Sequence, residues 1–448
     1  MENRTDTTDT IFAIASPPGV GGVGVIRISG PLAPQIARQL TGDLPEPRHA
    51  AFSRFVDDNG DPIDTGLALY FPAPHSFTGE HVVEVQGHGG PVVQQLLSRR
   101  IMTLGARAAR PGEFSERAFL NDKLDLAQAE AIADLVESGT EAAARAAQRS
   151  LDGVFSGRVN ELLDELTSLR VFIEAALDFP DEEIDFIAES DVRERVATVI
   201  ATCDQLLSEA QQGRLLRDGI TIAIAGAPNA GKSSLLNALS GTDAAIVTDI
   251  PGTTRDVLRE SISVDGLPVH IADTAGIRES DDQIEAEGVR RARATLEGAD
   301  MVILVRDLSD PGSEAEDIVS GLARHVPVIT AWNKVDLAPP REKPDENSVV
   351  ISARTGEGIA ALKTLVRERA GCQPQAEGSF SARARHLDAL RRTREGLQRS
   401  ADQLDAGNTP ELVAEELRLA QRALGEITGV FLPDDLLGAI FASFCIGK

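Results

Sequence analysis

Lys232 and Ser233 close the stretch Gly226-Ala227-Pro228-Asn229-Ala230-Gly231-Lys232-Ser233, a G-x4-G-K-S spacing that follows the apolar run Ile220 to Ala225. Glycines at those positions let the backbone curl so that successive N–H groups face phosphate oxygens. The lysine reaches the terminal phosphates, and the serine hydroxyl is placed to ligate Mg²⁺. Downstream, Asp273-Thr274-Ala275-Gly276 ends the apolar run Val269 to Ala272, which puts a carboxylate at a strand end, in place to hold Mg²⁺ through its water shell. Asn333-Lys334-Val335-Asp336 follows the run Val326 to Trp332, and Ser352-Ala353-Arg354 follows Val349-Val350-Ile351. An aspartate that accepts two N–H bonds from the guanine edge rejects adenine, whose donor pattern there is the opposite. The spacing of the first motif alone does not separate a nucleotide site from a chance match, but four motifs in this order point to GTP.

Between the first two motifs lies Thr248-Asp249-Ile250-Pro251-Gly252-Thr253-Thr254-Arg255-Asp256, which reads as a switch loop with Thr254 as the second hydroxyl on Mg²⁺. The nucleotide contacts expected are therefore Asn229, Ala230, Gly231, Lys232, Ser233 and Ser234 in the P-loop, and Thr248, Asp249, Ile250, Pro251, Gly252, Thr253 and Thr254 in the switch loop. Asp273, Thr274, Ala275 and Gly276 follow at the second strand end. Asn333, Lys334, Asp336, Ser352, Ala353 and Arg354 complete the set around the base. Ile277 stands where Ras-type GTPases carry a glutamine that orients the attacking water, so another group must serve there and another cation must offset the transition-state charge.

These motifs need a mostly parallel sheet with helices between its strands, expected over residues 218–373, with Val264-Asp265-Gly266-Leu267 turning an antiparallel edge hairpin. Residues 1–120 read as a mixed α/β domain. Its expected strands are Ile11 to Ala15, Val23 to Ile28, Leu67 to Phe71 and Val82 to Val85, with a helical pattern from Val92 to Leu104. Residues 121–217 read as helix, because Leu162, Leu166, Leu169 and Ile173, and likewise Val192, Val196, Val199, Cys203, Leu206 and Ala210, recur every three or four positions. The same period returns in residues 374–448 with Val413, Leu417, Ala420 and Leu424. The expected fold class is thus multidomain α/β and all-α, with a Ras-like P-loop G domain inserted into a helical domain. Separate domains in series are the alternative.

The chain has 448 residues, 42% of them hydrophobic, enough for two to four cores, and no run approaches a membrane span. Three cysteines, Cys203, Cys372 and Cys445, lie far apart without metal-ligand spacing, and the N-terminus lacks the charge pattern of a signal peptide, so the reading is cytoplasmic with no membrane partner. A net charge of −26 argues against a broad nucleic-acid-coating surface. The local basic run Arg383, Arg385, His386, Arg391, Arg392 and Arg394 reads either as a small nucleic-acid patch or, more simply, as a solvated helix face.

Several further stretches are more specific than a P-loop: Pro17-Pro18-Gly19, Gly21-Gly22-Val23-Gly24, Gln86-Gly87-His88-Gly89-Gly90, Arg110-Pro111-Gly112-Glu113-Phe114, Asp178-Phe179-Pro180-Asp181-Glu182-Glu183 and Phe444-Cys445-Ile446-Gly447-Lys448. With the G motifs they resemble, over essentially the whole chain, the MnmE (TrmE) family of tRNA-modification GTPases, within the TrmE-Era-EngA-YihA-Septin-like superfamily. The resemblance implies a homodimer held by N-terminal domains whose G domains meet when potassium and GTP bind. It implies that Asn229, Thr248, Ile250 and Thr253 coordinate K⁺ and that Glu285 orients the hydrolytic water, with Lys232 acting on the phosphates. Without it, Glu285 is one of several carboxylates at a solvated helix start.

The same resemblance implies that 5-formyl- or 5,10-methylene-tetrahydrofolate binds the N-terminal domain at Arg27, Glu84 and Lys123 together with Lys448. It also implies a role for Cys445 near that folate. Taken bare, Arg27 reads as a surface charge and Cys445 as a small buried hydrophobe. The family works with the FAD protein MnmG (GidA) as a heterotetramer, adding a carboxymethylaminomethyl or aminomethyl group at C5 of the wobble uridine of certain tRNAs. A ribosome-assembly or translation-associated GTPase switch is the alternative function, and it would carry a basic RNA-binding appendage instead of these terminal segments.

Overall fold

Alternation of apolar residues lays out the first sheet. In the computed structural model, which describes residues 9–178, 191–241, 260–272, 298–309, 326–340, 345–372, 379–407, 409–431 and 434–447, the chain forms two units. The first is Met1–Ala133 with Gly425–Lys448 and the second is Asp134–Leu424. The first unit holds a sheet of β1 (Ile11–Ile14), β2 (Gly21–Ser29), β3 (Ala51–Val56), β4 (Pro62–Phe71), β5 (Val82–Gly89) and β6 (Arg107–Ala108), ordered β3-β4-β5-β2-β1-β6. Only the β1–β6 pair is parallel.

Ile26 and Ile28 of β2, Val83 and Val85 of β5, and Ala68 and Tyr70 of β4 share a core with Ile36, Ala37 and Leu40 of the helix Ala33–Thr41 and with Leu97 and Ile101 of the helix Pro91–Thr103. Pro91 opens its helix at a position where the missing N–H has no intrahelical partner to lose. Strand β3 is not legible as a period-two run, because Phe52 is 78% exposed on one face while Phe55 is fully buried on the other. The C-terminal helix Asp434–Ala442 belongs to this unit: Phe441 and Phe444 pack with Phe119 and Leu126. Gly112 is left-handed there, and a Cβ on it would lie 2.4 Å from the Phe441 carbonyl.

In the second unit the expected helical stripes are buried: Leu162, Leu166, Leu169 and Ile173 in the helix Val154–Asp178, and Val192 to Ala210 at the same spacing in Asp191–Asp218. The latter runs beside the helix Ala384–Asp405, where the Cys203 thiol meets the Leu390 carbonyl at 3.7 Å. The chain therefore leaves the helices at Asp218 and rejoins them at Ala384, with the nucleotide-binding part inserted between two neighbouring helices. That part is a sheet of β7 (Ile220–Gly226), β8 (Glu260–Val264), β9 (Leu267–Ala272), β10 (Met301–Asp307), β11 (Val328–Asn333) and β12 (Ser348–Val350), ordered β12-β11-β10-β7-β9-β8. All neighbours are parallel except β8–β9, the expected edge hairpin. Asp265 at φ 50° and Gly266 at φ 89° make its two-residue turn, whose twist matches that of the strands.

Candidate nucleotide site

Parallel strands end on one edge of the sheet, and the loops that leave β7, β11 and β12 meet there. β7 runs into the P-loop, and the helix Lys232–Ser240 begins at once after Gly231, which sits at φ 100°. Asn229 also has a positive φ, 62°, so the loop curls as its glycines require. Lys232 Nζ donates to the carbonyls of Gly226 at 2.8 Å and Ala227 at 2.9 Å, and burial alone lowers its pKa. A lysine held over its own loop in this way stands where phosphate oxygens would compete for the same protons.

The base-side loops are fastened to the P-loop by Asn333, which is 3% exposed. Its Nδ2 donates to the Ala230 carbonyl at 2.8 Å and its Oδ1 accepts from the Ala353 N–H at 3.0 Å. Asn333 is thus the rivet of the site. Asp336 is gripped from two sides: Ser352 Oγ donates to Oδ1 at 2.7 Å, and Arg354 Nη2 pairs with Oδ2 at 2.7 Å. The Ser352 bond, with help from Arg354, holds the Asp336 carboxyl below the usual range, so it is an anion throughout the neutral region. Asn229, Gly231, Ser234, Asn333, Lys334, Asp336, Ala353 and Arg354 line one cleft of about 600 Å³, together with Asn237, Ala238 and Leu337.

Asp307 was not among the residues expected from the sequence, and Ser352 stands behind Asp336. Asp307 ends β10 beside β11 and pairs with Lys334, whose φ is 69°, so the lysine stem is held across the cleft. A carboxylate at the end of an adjacent parallel strand was the signal. Ser352 is fully buried, and its hydroxyl acts on Asp336 instead of facing the cleft. The expected sites at Thr248, Asp249, Ile250, Pro251, Gly252, Thr253, Thr254, Asp273, Thr274, Ala275, Gly276, Glu285 and Lys448 lie outside the described residues.

In the first unit, Arg27 and Glu84 are directly opposed on β2 and β5 and pair at 2.9 Å. The guanidinium lies 5.4 Å from the Phe77 ring and 5.9 Å from that of Phe114, so Arg27 is not the free surface charge its bare context suggests. Lys123 is exposed beside Gly79, and Cys445 is exposed, contrary to the bare expectation of a buried small hydrophobe. No bond joins either side chain to the Arg27–Glu84 pair among the described residues. Cys203, by contrast, is buried, which pushes its thiol up to about 12.

The basic run after residue 382 does not form one patch. Arg383 pairs with Asp134, His386 is 2% exposed against Phe155, and Arg392 and Arg394 pair with Asp388 and Asp204. Among the described residues no group of three or more His, Cys, Asp or Glu is set to hold a metal ion, and no helix is long and apolar enough to cross a membrane.

Two family models match the chain: the MnmE helical domain over residues 126–445 and the GTP-binding protein TrmE N-terminus over residues 10–123. The tRNA modification GTPase MnmE of Sodalis glossinidius (strain morsitans) is 54% identical over 451 residues, covering 98% of this chain and 99% of that one. Among solved structures, the G domain of the T. maritima FeoB iron transporter is 30% identical and covers 34% of this chain and 98% of its own, with a TM-score of 0.24. Aquifex aeolicus Era bound to GDP and aluminium fluoride is 28% identical, covering 40% of this chain and 66% of its own, with a TM-score of 0.25. Both scores are well below those of chains that share a whole arrangement.

Proposed function

The chain belongs to the MnmE family of tRNA modification GTPases, and from that premise we propose that it hydrolyses GTP in the course of modifying the wobble uridine of certain tRNAs. The observation that carries the proposal is the cleft in which the P-loop faces Asp336 and Arg354, with Ser352 bracing Asp336 from behind and Asn333 as the rivet. Asp336 accepts the N1 and N2 hydrogens of guanine, and the fixed distance across Asn333 sets the phosphates against the P-loop amides. Lys232 then leaves its own loop carbonyls for the terminal phosphates.

The donors on the loop suit hard cations: a serine hydroxyl in the first turn of the helix Lys232–Ser240 and an amide oxygen on Asn229. Ser233 and Thr254 would hold Mg²⁺, and Asn229, Thr248, Ile250 and Thr253 would hold K⁺. When bound, the two cations supply positive charge where negative charge builds during phosphoryl transfer. Glu285 orients the attacking water, the task for which Ile277 lacks a polar group.

On the same reading the first unit binds a reduced folate, 5-formyl- or 5,10-methylene-tetrahydrofolate, at Arg27, Glu84, Lys123 and Lys448, with Cys445 close by. The chain acts in the cytoplasm as a homodimer and joins the FAD protein MnmG in a heterotetramer. Its net charge of −26 fits a division of labour in which the partner carries much of the tRNA contact.

The test reconstitutes the chain with the FAD protein, GTP, folate and unmodified tRNA, and analyses the nucleosides. A C5-substituted wobble uridine is expected with the parent chain and absent with Lys232→Ala. Equal modification by both would contradict the proposal.

A further inference from the structure

The nucleotide-binding part is joined to the helices by two crossings of the chain, and both meet at one buried carboxylate. Asp134, in the helix Leu126–Glu137, has a side chain only 3% exposed. Its Oδ1 accepts from Arg217 Nε at 2.7 Å and from Arg383 Nη2 at 2.6 Å, and its Oδ2 accepts from Ser381 Oγ at 3.2 Å. Arg217 is in the last turn of the helix Asp191–Asp218, immediately before β7, and also pairs with Asp218. Arg383 is the N-cap of the helix Ala384–Asp405, where the chain returns.

The returning segment is stitched down on the helix Glu141–Leu151. Ser381 N–H donates to Ser150 Oγ at 2.9 Å, Ser150 Oγ donates to the Ser381 carbonyl at 3.0 Å, and Arg149 Nε donates to the Ser379 carbonyl. The crossings touch directly: a Cβ on Gly213 of the outgoing helix would lie 2.2 Å from the Phe380 carbonyl oxygen. A third strut reaches the sheet, where Thr140 Oγ1 donates to the Gly266 carbonyl at 3.1 Å in the β8–β9 turn. That hairpin stands in sequence between the Thr248–Asp256 loop and the Asp273–Gly276 motif.

We propose that Asp134 is a positioning residue for the inserted nucleotide-binding part, locking its outgoing and returning crossings to one scaffold helix so that changes at the nucleotide are passed to the helices. This rests on the GTPase reading above. Two guanidinium groups share one carboxylate at a buried junction. Removing that charge takes away the partner the two guanidinium groups share, and with Arg217 left to Asp218 the tie between the two crossings is lost. Among the described residues none of these groups lines the nucleotide cleft, so hydrolysis itself is not expected to depend on them.

The test places spin labels at Thr198→Cys and Thr364→Cys in a full chain that also carries Cys372→Ser and Cys445→Ser, with and without Asp134→Asn. A narrow distance distribution that broadens in the Asp134→Asn chain, and narrows again with Asp134→Glu, is expected. An unchanged distribution overturns the proposal. If Asp134→Asn does not fold, Thr140→Ser, which keeps the hydroxyl that caps Ala143 and reaches Gly266, serves as the control for Thr140→Val, which removes both bonds, and the pair is read by the same criteria. In the parent background, Asp134→Asn is expected to keep GTP hydrolysis within about twofold while forming about tenfold less modified uridine per GTP. Equal losses in both rates would mark a merely structural role. A parent chain that hydrolyses no GTP would sink the functional reading while the distance measurement still judges the junction.

Discussion

Asp336 shows how a single carboxylate acquires a function from its neighbours. The Ser352 hydroxyl and the Arg354 guanidinium orient both oxygens, so the acceptor pair is set before any base arrives. Asp336→Asn turns one acceptor into a donor and is expected to cut the preference for guanine nucleotides by roughly a hundredfold, with xanthine nucleotides rescuing binding. Competition binding of the two nucleotide classes checks it, and retained guanine preference would contradict the assignment. The motif was legible in the sequence because base recognition needs that residue type at that strand end. The part played by Ser352 was not, because a serine in a loop bonds whatever the fold brings to it.

Elements hold these residues at fixed separations, and close approaches show where there is no slack. A Cβ on Gly231 would lie 2.2 Å from Asn333 Nδ2, and the residue sits at φ 100°. Gly231→Ala therefore costs about 1–3 kcal/mol in local strain and displaces the rivet, so nucleotide affinity measured by titration calorimetry falls while the helices still melt as in the parent. Unchanged affinity would show that the rivet is dispensable.

In the first unit, Glu113 at the start of its helix Glu113–Leu120 is 3% exposed and is bonded by Arg107, the Arg110 N–H and Arg117. Burial alone would raise its pKa, but those bonds bring it from 4.5 down to about 2. A lowered carboxyl stabilises the fold above pH 4.5, and the contribution disappears as pH falls toward about 2. It amounts to about 3 kcal/mol. Denaturant melts should therefore show Glu113→Gln less stable than the parent at neutral pH, with the gap closing in acid. A gap independent of pH would contradict the ion cluster. The long helices and most strands could be anticipated from period alone. Strand β3 could not, since its two phenylalanines face opposite ways, and neither could the pairing of Arg383 with Asp134 or the burial of His386, whose partners are distant in sequence.

At the scale of the whole molecule, the nucleotide-binding part is an insertion whose both ends close on Asp134, and the C-terminal helix packs on the helices Glu113–Leu120 and Leu126–Glu137 of the first unit. Periodicity identified these helices without revealing their partners, because a helical stripe specifies a buried face and not what covers it. The proposed function makes one demand on the whole assembly: the positive charge that an arginine finger would otherwise supply during hydrolysis comes from a cation gathered by Asn229 and the switch loop. Steady-state GTP hydrolysis in matched potassium and sodium buffers at equal ionic strength tests that demand most directly. The account predicts a large rise in potassium alone, abolished by Asn229→Ala. Equal rates in the two buffers would contradict it.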